Sequence, residues 1–282
     1  VEMAIYESKT LDTAQIAFFN ENMQSRVENR FKLEARLREA IPDQLFLTYQ
    51  MQINEKNTPT GAEVLIRWQD PDEGIISPAD FILIKKSELI NQIGDWVIKI
   101  ACQRLAIWSS KPEFENLTLS VNVSLKQFMQ PDFIEKIQCE ITESSIQPNR
   151  LKLELTESIF VEDYNIIIDK MAKIKALGIM ISLDDFGTGF SSLSYLKRLP
   201  IDELKIDQSF VSDLITSTES EAIVESIIRL GQSLNMSVIA EGVETEAQKE
   251  KLMKMNCKKF QGYLFTKPLQ AEDIESLITK WK

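Results

Sequence analysis

Histidine is absent from all 282 residues. That removes Ser-His-Asp and Cys-His hydrolases, zinc centres with imidazole ligands, and any histidine general base. Chemistry on this chain must run on carboxylates, amides, lysines and hydroxyls, whose oxygens suit Mg²⁺, Mn²⁺ or Ca²⁺. Cysteine is scarce: Cys102, Cys139 and Cys257 are scattered, odd in number and set in apolar or helical-looking stretches. They read as buried structural thiols in a reducing cytoplasm, not as a zinc site or disulfide framework. No apolar run approaches the roughly 20 residues that span a bilayer, and no secretory leader is evident, so no membrane contact is expected. Basic charge is in deficit, with 32 Lys and Arg against 43 Asp and Glu and a net charge of −11. A DNA or RNA polymer needs a basic face and is not the expected partner. A small anionic ligand stays open, because a bound metal inverts the local field.

What is present is an ordinary apolar fraction, 44%, in a length that holds one large α/β domain and a short extra piece. Residues 1–20 read as a short amphipathic helix ending in Ile16, Phe18 and Phe19, with little to bury alone. Residues 21–42 form a second helical stretch with Met23, Val27, Leu33, Leu37 and Ile41 toward one face, closed by Pro42. A linker helix and a docked surface helix explain that pattern equally well. From residue 43 to 282, β-rich runs alternate with helix-length segments. The runs are Leu45–Ile53, Ala62–Trp68, Leu117–Val123, Leu151–Leu155, Ile179–Leu183, Glu203–Ile206, Ser237–Ala240 and Phe260–Phe265; helical candidates include 79–109, 163–177, 219–234 and 245–255. Such alternation predicts a closed barrel or a doubly wound sheet, with several strands buried on both faces. A barrel further demands functional groups at the C-terminal ends of its strands. Gln50, Glu63, Asn122, Glu154, Asp184 with Asp185, Lys205, Glu241 and Gln261 interrupt or follow the apolar runs. Charges are seldom buried without a partner or a metal, so this set points to a site.

The segment Ala62-Glu63-Val64-Leu65-Ile66-Arg67-Trp68 resembles the signature of the EAL-domain family of cyclic di-GMP phosphodiesterases. The likeness continues in order through Val121-Asn122-Val123-Ser124, Glu154-Leu155-Thr156-Glu157-Ser158, Asp184-Asp185-Phe186-Gly187-Thr188-Gly189 and Leu204-Lys205-Ile206-Asp207. It ends with Ala240-Glu241-Gly242-Val243-Glu244-Thr245 and Gln261-Gly262-Tyr263-Leu264-Phe265. It covers roughly residues 44–275 and implies a (β/α)₈ TIM-type barrel with a short N-terminal helical extension. Met3-Ala4-Ile5-Tyr6-Glu7-Ser8-Lys9 resembles the closing helix of a GGDEF domain. Residues 1–20 are therefore expected to be the remnant of such a domain in a truncated parent.

The resemblance also implies roles. Glu63, Asn122, Glu154 and Asp184 would hold a first metal, and Asp184 with Asp185 a second, Mg²⁺ or Mn²⁺ in each, while Ca²⁺ would bind and inhibit. Two such ions neutralise a phosphate, activate a water and stabilise the leaving oxygen. Lys205 would assist the attacking water and the scissile phosphate, and Glu241 would be the general base or, equally, a carboxylate oriented to the metal water. Arg67 would grip a phosphate, with Gln50, Leu65 and Gln261 as further substrate contacts. Glu157 would anchor the loop containing Gly187 and Gly189, which in the family links the metal site to a homodimer contact; Glu244 reads as a supporting residue. The chain departs from the pattern at Glu63-Val64-Leu65 in place of Glu-Ala-Leu, and at Met51 after Tyr49-Gln50. Lys85 and Lys86 stand where the family carries acids, which touches substrate affinity more than the metal ligands. The expected activity is metal-dependent conversion of cyclic di-GMP to linear pGpG; a non-catalytic cyclic di-GMP receptor is the alternative. An unrelated barrel acting on phosphorylated sugars with Mg²⁺ is a third reading.

Overall fold

The computed structural model of the protein describes residues 32–81, 89–157, 159, 164–187 and 196–281. Residues 1–31, which contain the expected GGDEF-like remnant and half of the linker helix, lie outside that set, as do Lys85, Lys86 and Gly189. Among the described residues no helix is long and apolar enough to cross a membrane.

Nine strands form one sheet: β1 Leu45–Asn54, β2 Pro59–Asp70, β3 Gly74–Ile76, β4 Thr118–Asn122, β5 Leu151–Thr156, β6 Met180–Phe186, β7 Glu203–Ile206, β8 Ser237–Ala240 and β9 Lys259–Gln261. The order β1-β9-β8-β7-β6-β5-β4-β2, with β1 paired back to β2, closes eight strands into a barrel; β3 hangs antiparallel on β2. β2 and β4–β9 run parallel, whereas β1 is antiparallel to β9. The expected barrel is present. The ninth strand corrects one boundary, since Phe260–Phe265 was expected and only Lys259–Gln261 forms. Phe265 N–H donates to the Gly262 carbonyl at 3.1 Å, so the apolar residues after Gln261 belong to a turn. β3 was not expected at all.

The strands are not apolar on both faces, as their short runs suggested. Lys152 and Glu154 of β5 meet Glu203 and Lys205 of β7 although β6 lies between them. Side chains from strands two apart touch only inside a curved sheet, so these residues line the lumen. Leu151, Leu153 and Leu155 then alternate to the outside, as do Leu204 and Ile206. The parallel register places side chains of alternate strands in common layers, the packing expected of such barrels.

Helices α1 Leu89–Ser109, α2 Phe133–Ser144, α3 Tyr164–Ala176, α4 Thr218–Ser233, α5 Glu246–Lys254 and α6 Ala271–Lys280 account for most of the helical residues. α2 and α6 are additions to the sequence reading. Each buries a narrow face at three- and four-residue spacing: Phe133, Ile137 and Ile141 in α2, and Ala271, Ile274 and Ile278 in α6. Ser217 caps α4 by accepting from Ser220 N–H, and Thr245 with Gln248 forms a capping box at the start of α5.

The chain divides into two compact units, one of residues up to Phe46 with Arg67–Ile90, the other of Leu47–Ile66 with residues from Asn91 onward. In the first, residues 32–40 are helical and Arg36 bridges Asp70 at 2.5 Å and Glu73 at 2.6 Å. Trp68 is fully buried, donates to Gln44 Oε1 at 3.0 Å and meets Phe81 edge-on. The second unit holds the polar lumen.

Candidate active site

Nine lumen and rim residues, from seven strands and the turn after β8, converge on one ammonium or on each other. Lys205, 1% exposed at the centre of β7, lies 2.5 Å from Glu154 Oε2 and 3.2 Å from Asp184 Oδ1. It is 2.7 Å from Glu241 Oε1 and 3.7 Å from Glu63 Oε2. Glu63 accepts from Asn122 Nδ2 at 2.7 Å and from Gln261 Nε2 at 2.5 Å. Gln261 also reaches Gln50 Oε1 at 3.3 Å, and Gln50 donates to the Thr266 carbonyl at 3.2 Å. Gln52, which the sequence reading missed, donates to Gln261 Oε1 at 2.9 Å and so orients that amide toward Glu63. Two-residue alternation from Gln50 along β1 was the available signal.

Four carboxylates facing one ammonium set the electrostatics. Burial alone would neutralise Lys205, but Glu154, Glu241, Glu63 and Asp184 outweigh it and hold its pKa well above the ordinary lysine value. Burial also opposes ionisation of Glu63, yet Lys205 and the donors on Gln261 and Asn122 keep it below the usual carboxylate range. For Glu154 burial wins, reinforced by Glu63 and Asp184, and the carboxyl is pushed up to about 8. Glu241 is raised well above its ordinary value by burial first and then by the other acids. The cluster is short of positive charge.

Two features bear on a metal. Glu154 Oε1 is buried with no hydrogen-bond partner, an acceptor that a cation would satisfy. The donor set, four carboxylates with the Asn122 amide beside them, is one of hard oxygens suited to Mg²⁺ or Mn²⁺. In the present side-chain positions the Lys205 ammonium occupies the convergence, and among the described residues no group of three acidic side chains is disposed to hold an ion. The residues fit the group by chemistry and by charge deficit. Entry of a cation requires carboxylates to turn from the ammonium.

Local backbone explains how adjacent aspartates are presented. Asp185 adopts a left-handed conformation, φ +56°, uncommon for a residue other than glycine. Its N–H donates to Asp184 Oδ1 at 2.9 Å, and the β6–β7 register shifts between Leu183 and Phe186. Such irregularities re-aim side chains beside functional sites. Asp184 thus joins the Lys205 cluster.

Glu241 follows β8, its N–H donating to the Ile206 carbonyl at 3.2 Å. Its loop is tied to Gln261: Val243 N–H donates to the Gln261 carbonyl at 3.0 Å, and Leu264 N–H to the Val243 carbonyl at 3.0 Å. Gly262 permits this, since a Cβ there would lie 2.1 Å from the Val243 carbonyl oxygen and 2.3 Å from its nitrogen. Gly262→Ala is therefore expected to cost about 1–3 kcal/mol, because backbone must move to admit the methyl group. A thermal melt unchanged from the parent would show that the loop yields freely.

Leu65 and Arg67 follow Glu63 on β2, both half-buried; Glu157 is buried after β5; Glu244 is exposed, its N–H donating to Gln248 Oε1 at 2.9 Å. Gly187 has φ +101°. A separate apolar hollow of about 640 Å³, lined by Phe186, Ile223, Ile227 and Leu230 among others, contains none of the acidic residues.

Against known proteins, residues 34–268 match the EAL domain family. The bifunctional diguanylate cyclase/cyclic di-GMP phosphodiesterase MucR of Pseudomonas aeruginosa is 38% identical over 276 residues, 97% of this chain and 40% of MucR. The oxygen sensor protein DosP of Escherichia coli is 42% identical over 260 residues, 91% of this chain and 32% of DosP. The chain therefore spans well under half the length of these relatives. Among solved structures, the PaMucR phosphodiesterase in complex with c-di-GMP superposes with a TM-score of 0.83 at 40% identity, covering 86% of this chain and 99% of that one.

Proposed function

Because the chain belongs to the EAL-domain family, we propose that it is a divalent-cation-dependent phosphodiesterase opening cyclic di-GMP to linear pGpG. The observation that carries this reading is the single buried ammonium faced by four carboxylates, one with an unsatisfied buried oxygen. Relatives named as cyclic di-GMP phosphodiesterases, and the ligand in the MucR complex, supply the substrate.

Glu63, Asn122, Glu154 and Asp184 would hold one Mg²⁺ or Mn²⁺, and Asp184 with Asp185 a second. When bound, such ions neutralise the phosphate and make a water nucleophilic near neutral pH. The chain does the rest. Glu241 takes a proton from the attacking water as its oxygen bonds to phosphorus, and the bond from phosphorus to the ribose O3′ breaks. The departing O3′ ends protonated, leaving a 5′-phosphate and a free 3′-hydroxyl. Lys205 holds the attacking oxygen and a phosphate oxygen against Glu241. Arg67 suits the other phosphate, because a guanidinium forks onto two oxygens. Gln50, Leu65 and Gln261 border the nucleotide. Association of two copies is part of this reading, a state readable by light scattering.

Incubation with cyclic di-GMP and Mg²⁺ or Mn²⁺, followed by chromatography, should yield pGpG, and Ca²⁺ should give binding without turnover. Tight nucleotide binding with no product under any cation would overturn the enzyme reading in favour of a receptor. A calorimetric signature accompanies metal entry. With Glu154 near 8, this carboxyl is largely protonated at pH 7 without metal. Mn²⁺ binding at pH 7 should therefore release about one proton, seen as a heat that varies with the ionisation enthalpy of the buffer. A buffer-independent heat would show that Glu154 was already ionised.

A further inference from the structure

Beneath the acid cluster the lumen carries a second set of buried charges. Lys152 is 2% exposed, Glu203 is fully buried, and the two are in direct contact. Lys259 reaches Glu203 Oε2 at 2.6 Å, and Ser237 Oγ donates to the same oxygen at 2.8 Å. Lys152, Glu203 and Lys259 come from β5, β7 and β9, alternate strands of the barrel. Glu154, Lys205 and Gln261 of the site lie two residues further along those strands, about 6.6 Å higher at roughly 3.3 Å per residue. On β5 the order is Lys then Glu; on β7 it is Glu then Lys.

This opposite order creates a hazard and its remedy. Glu203 sits directly below Lys205 on one strand, and Lys152 directly below Glu154 on the other. An unsatisfied Glu203 would draw the Lys205 ammonium downward, and an unsatisfied Lys152 would draw the Glu154 carboxylate. Neither is unsatisfied: Glu203 Oε1 accepts from Lys152, and Oε2 from Lys259 and Ser237. Glu154 Oε2 is thereby left to Lys205, and Glu154 Oε1 remains unclaimed.

We propose that Lys152 and Glu203 are positioning residues that sequester one another, so that Lys205 and Glu154 stay raised into the active site. Stability alone does not require the pair, because a buried ion pair is commonly matched or bettered by apolar residues of similar volume. The inference rests on the proposed hydrolysis for its kinetic readout but not for its structural one.

The test compares Lys152→Met with the double variant K152M/E203M, assayed below the melting temperature of every protein. K152M keeps Glu203 paired with Lys259 but frees Oε1 to compete for Lys205. Its kcat for cyclic di-GMP should fall at least about tenfold, in the range seen when groups orienting a site are removed, with KM little changed. The double variant removes the competitor and should recover kcat to within about threefold of the parent, by the same argument. A crystal structure of K152M should show Lys205 turned toward Glu203. A folded K152M with parental kcat, or a double variant as slow as K152M, would overturn the proposal. If K152M does not fold, Lys152→Gln takes its place with the same two outcomes, because a neutral amide no longer holds Glu203 against the ammonium above it. An inactive parent would refute the proposed function only, and the position of Lys205 in the variant would still decide this one.

Discussion

Glu241→Gln is expected to lower kcat for cyclic di-GMP by about 10²–10⁴-fold, the usual worth of a positioned general base. Gln keeps the volume of the side chain and a carbonyl oxygen to accept from Lys205, which now lies 2.7 Å from Glu241 Oε1. What it removes is the ability to take a proton. Glu241 sits at the end of β8 on a loop tied to Gln261, so its geometry depends on backbone contacts that the substitution leaves alone. Nucleotide affinity, measured with Ca²⁺ to prevent turnover, should therefore stay within about threefold of the parent, since base catalysis acts on the transition state and not on the bound ground state. Residual kcat above a tenth of the parental value would move the base elsewhere. A collapse in affinity with kcat preserved would make Glu241 a binding residue.

At the opposite end of the lumen the expected effect is on folding. Glu203→Gln leaves the Lys152 ammonium in a dry environment without its counter-charge, a loss that costs about 3–5 kcal/mol where such pairs have been broken. At about 2–4 °C per kcal/mol for a domain of this size, the melting temperature should drop by roughly 6–20 °C. The pH dependence identifies the cause. Burial opposes ionisation of Glu203, but Lys152 and Lys259 overcome it and hold the carboxyl at about 2, below its unfolded value of 4.5. A depressed acid contributes stability that is present above its unfolded pKa and lost as pH falls through the folded one. The parent should thus lose stability between about pH 4.5 and 2, and E203Q should lack that part of the profile. A melting temperature within a degree or two of the parent, or an acid limb identical in both, would show that the pair is balanced by its desolvation.

These two experiments probe layers that were unequally visible in the sequence. Glu63, Asn122, Glu154, Asp184, Lys205, Glu241 and Gln261 were legible because each ionisable or amide group interrupts or follows a short apolar run, and because the motifs fall in family order. Lys152, Glu203, Lys259 and Gln52 were as close to those runs and were passed over. Their signal was the two-residue spacing to Glu154, Lys205, Gln261 and Gln50, which places both members of each couple on one face of a strand. The signal for α2 was the four-residue recurrence of Phe133, Ile137 and Ile141. The ninth strand was overextended because Tyr263-Leu264-Phe265 is as apolar as a strand, while its turn depends on the close approach of Gly262 to Val243.

The amino-acid sequence by itself determined which chemistry is available, carboxylate and lysine without histidine, and the alternation that sends apolar side chains outward and polar ones into the lumen. It also determined the order of the motifs and hence the family. Only the tertiary structure decided that Lys205 is the hub of four acids, and that Lys152 pairs with Glu203 and not with Glu154 two residues away. The physical reason is that successive inward residues of one strand stand about 6.6 Å apart in separate layers. The pairs Lys152–Glu203 and Glu154–Lys205 are each made within a layer between strands two apart, and the register and closure of the barrel set which residues share it.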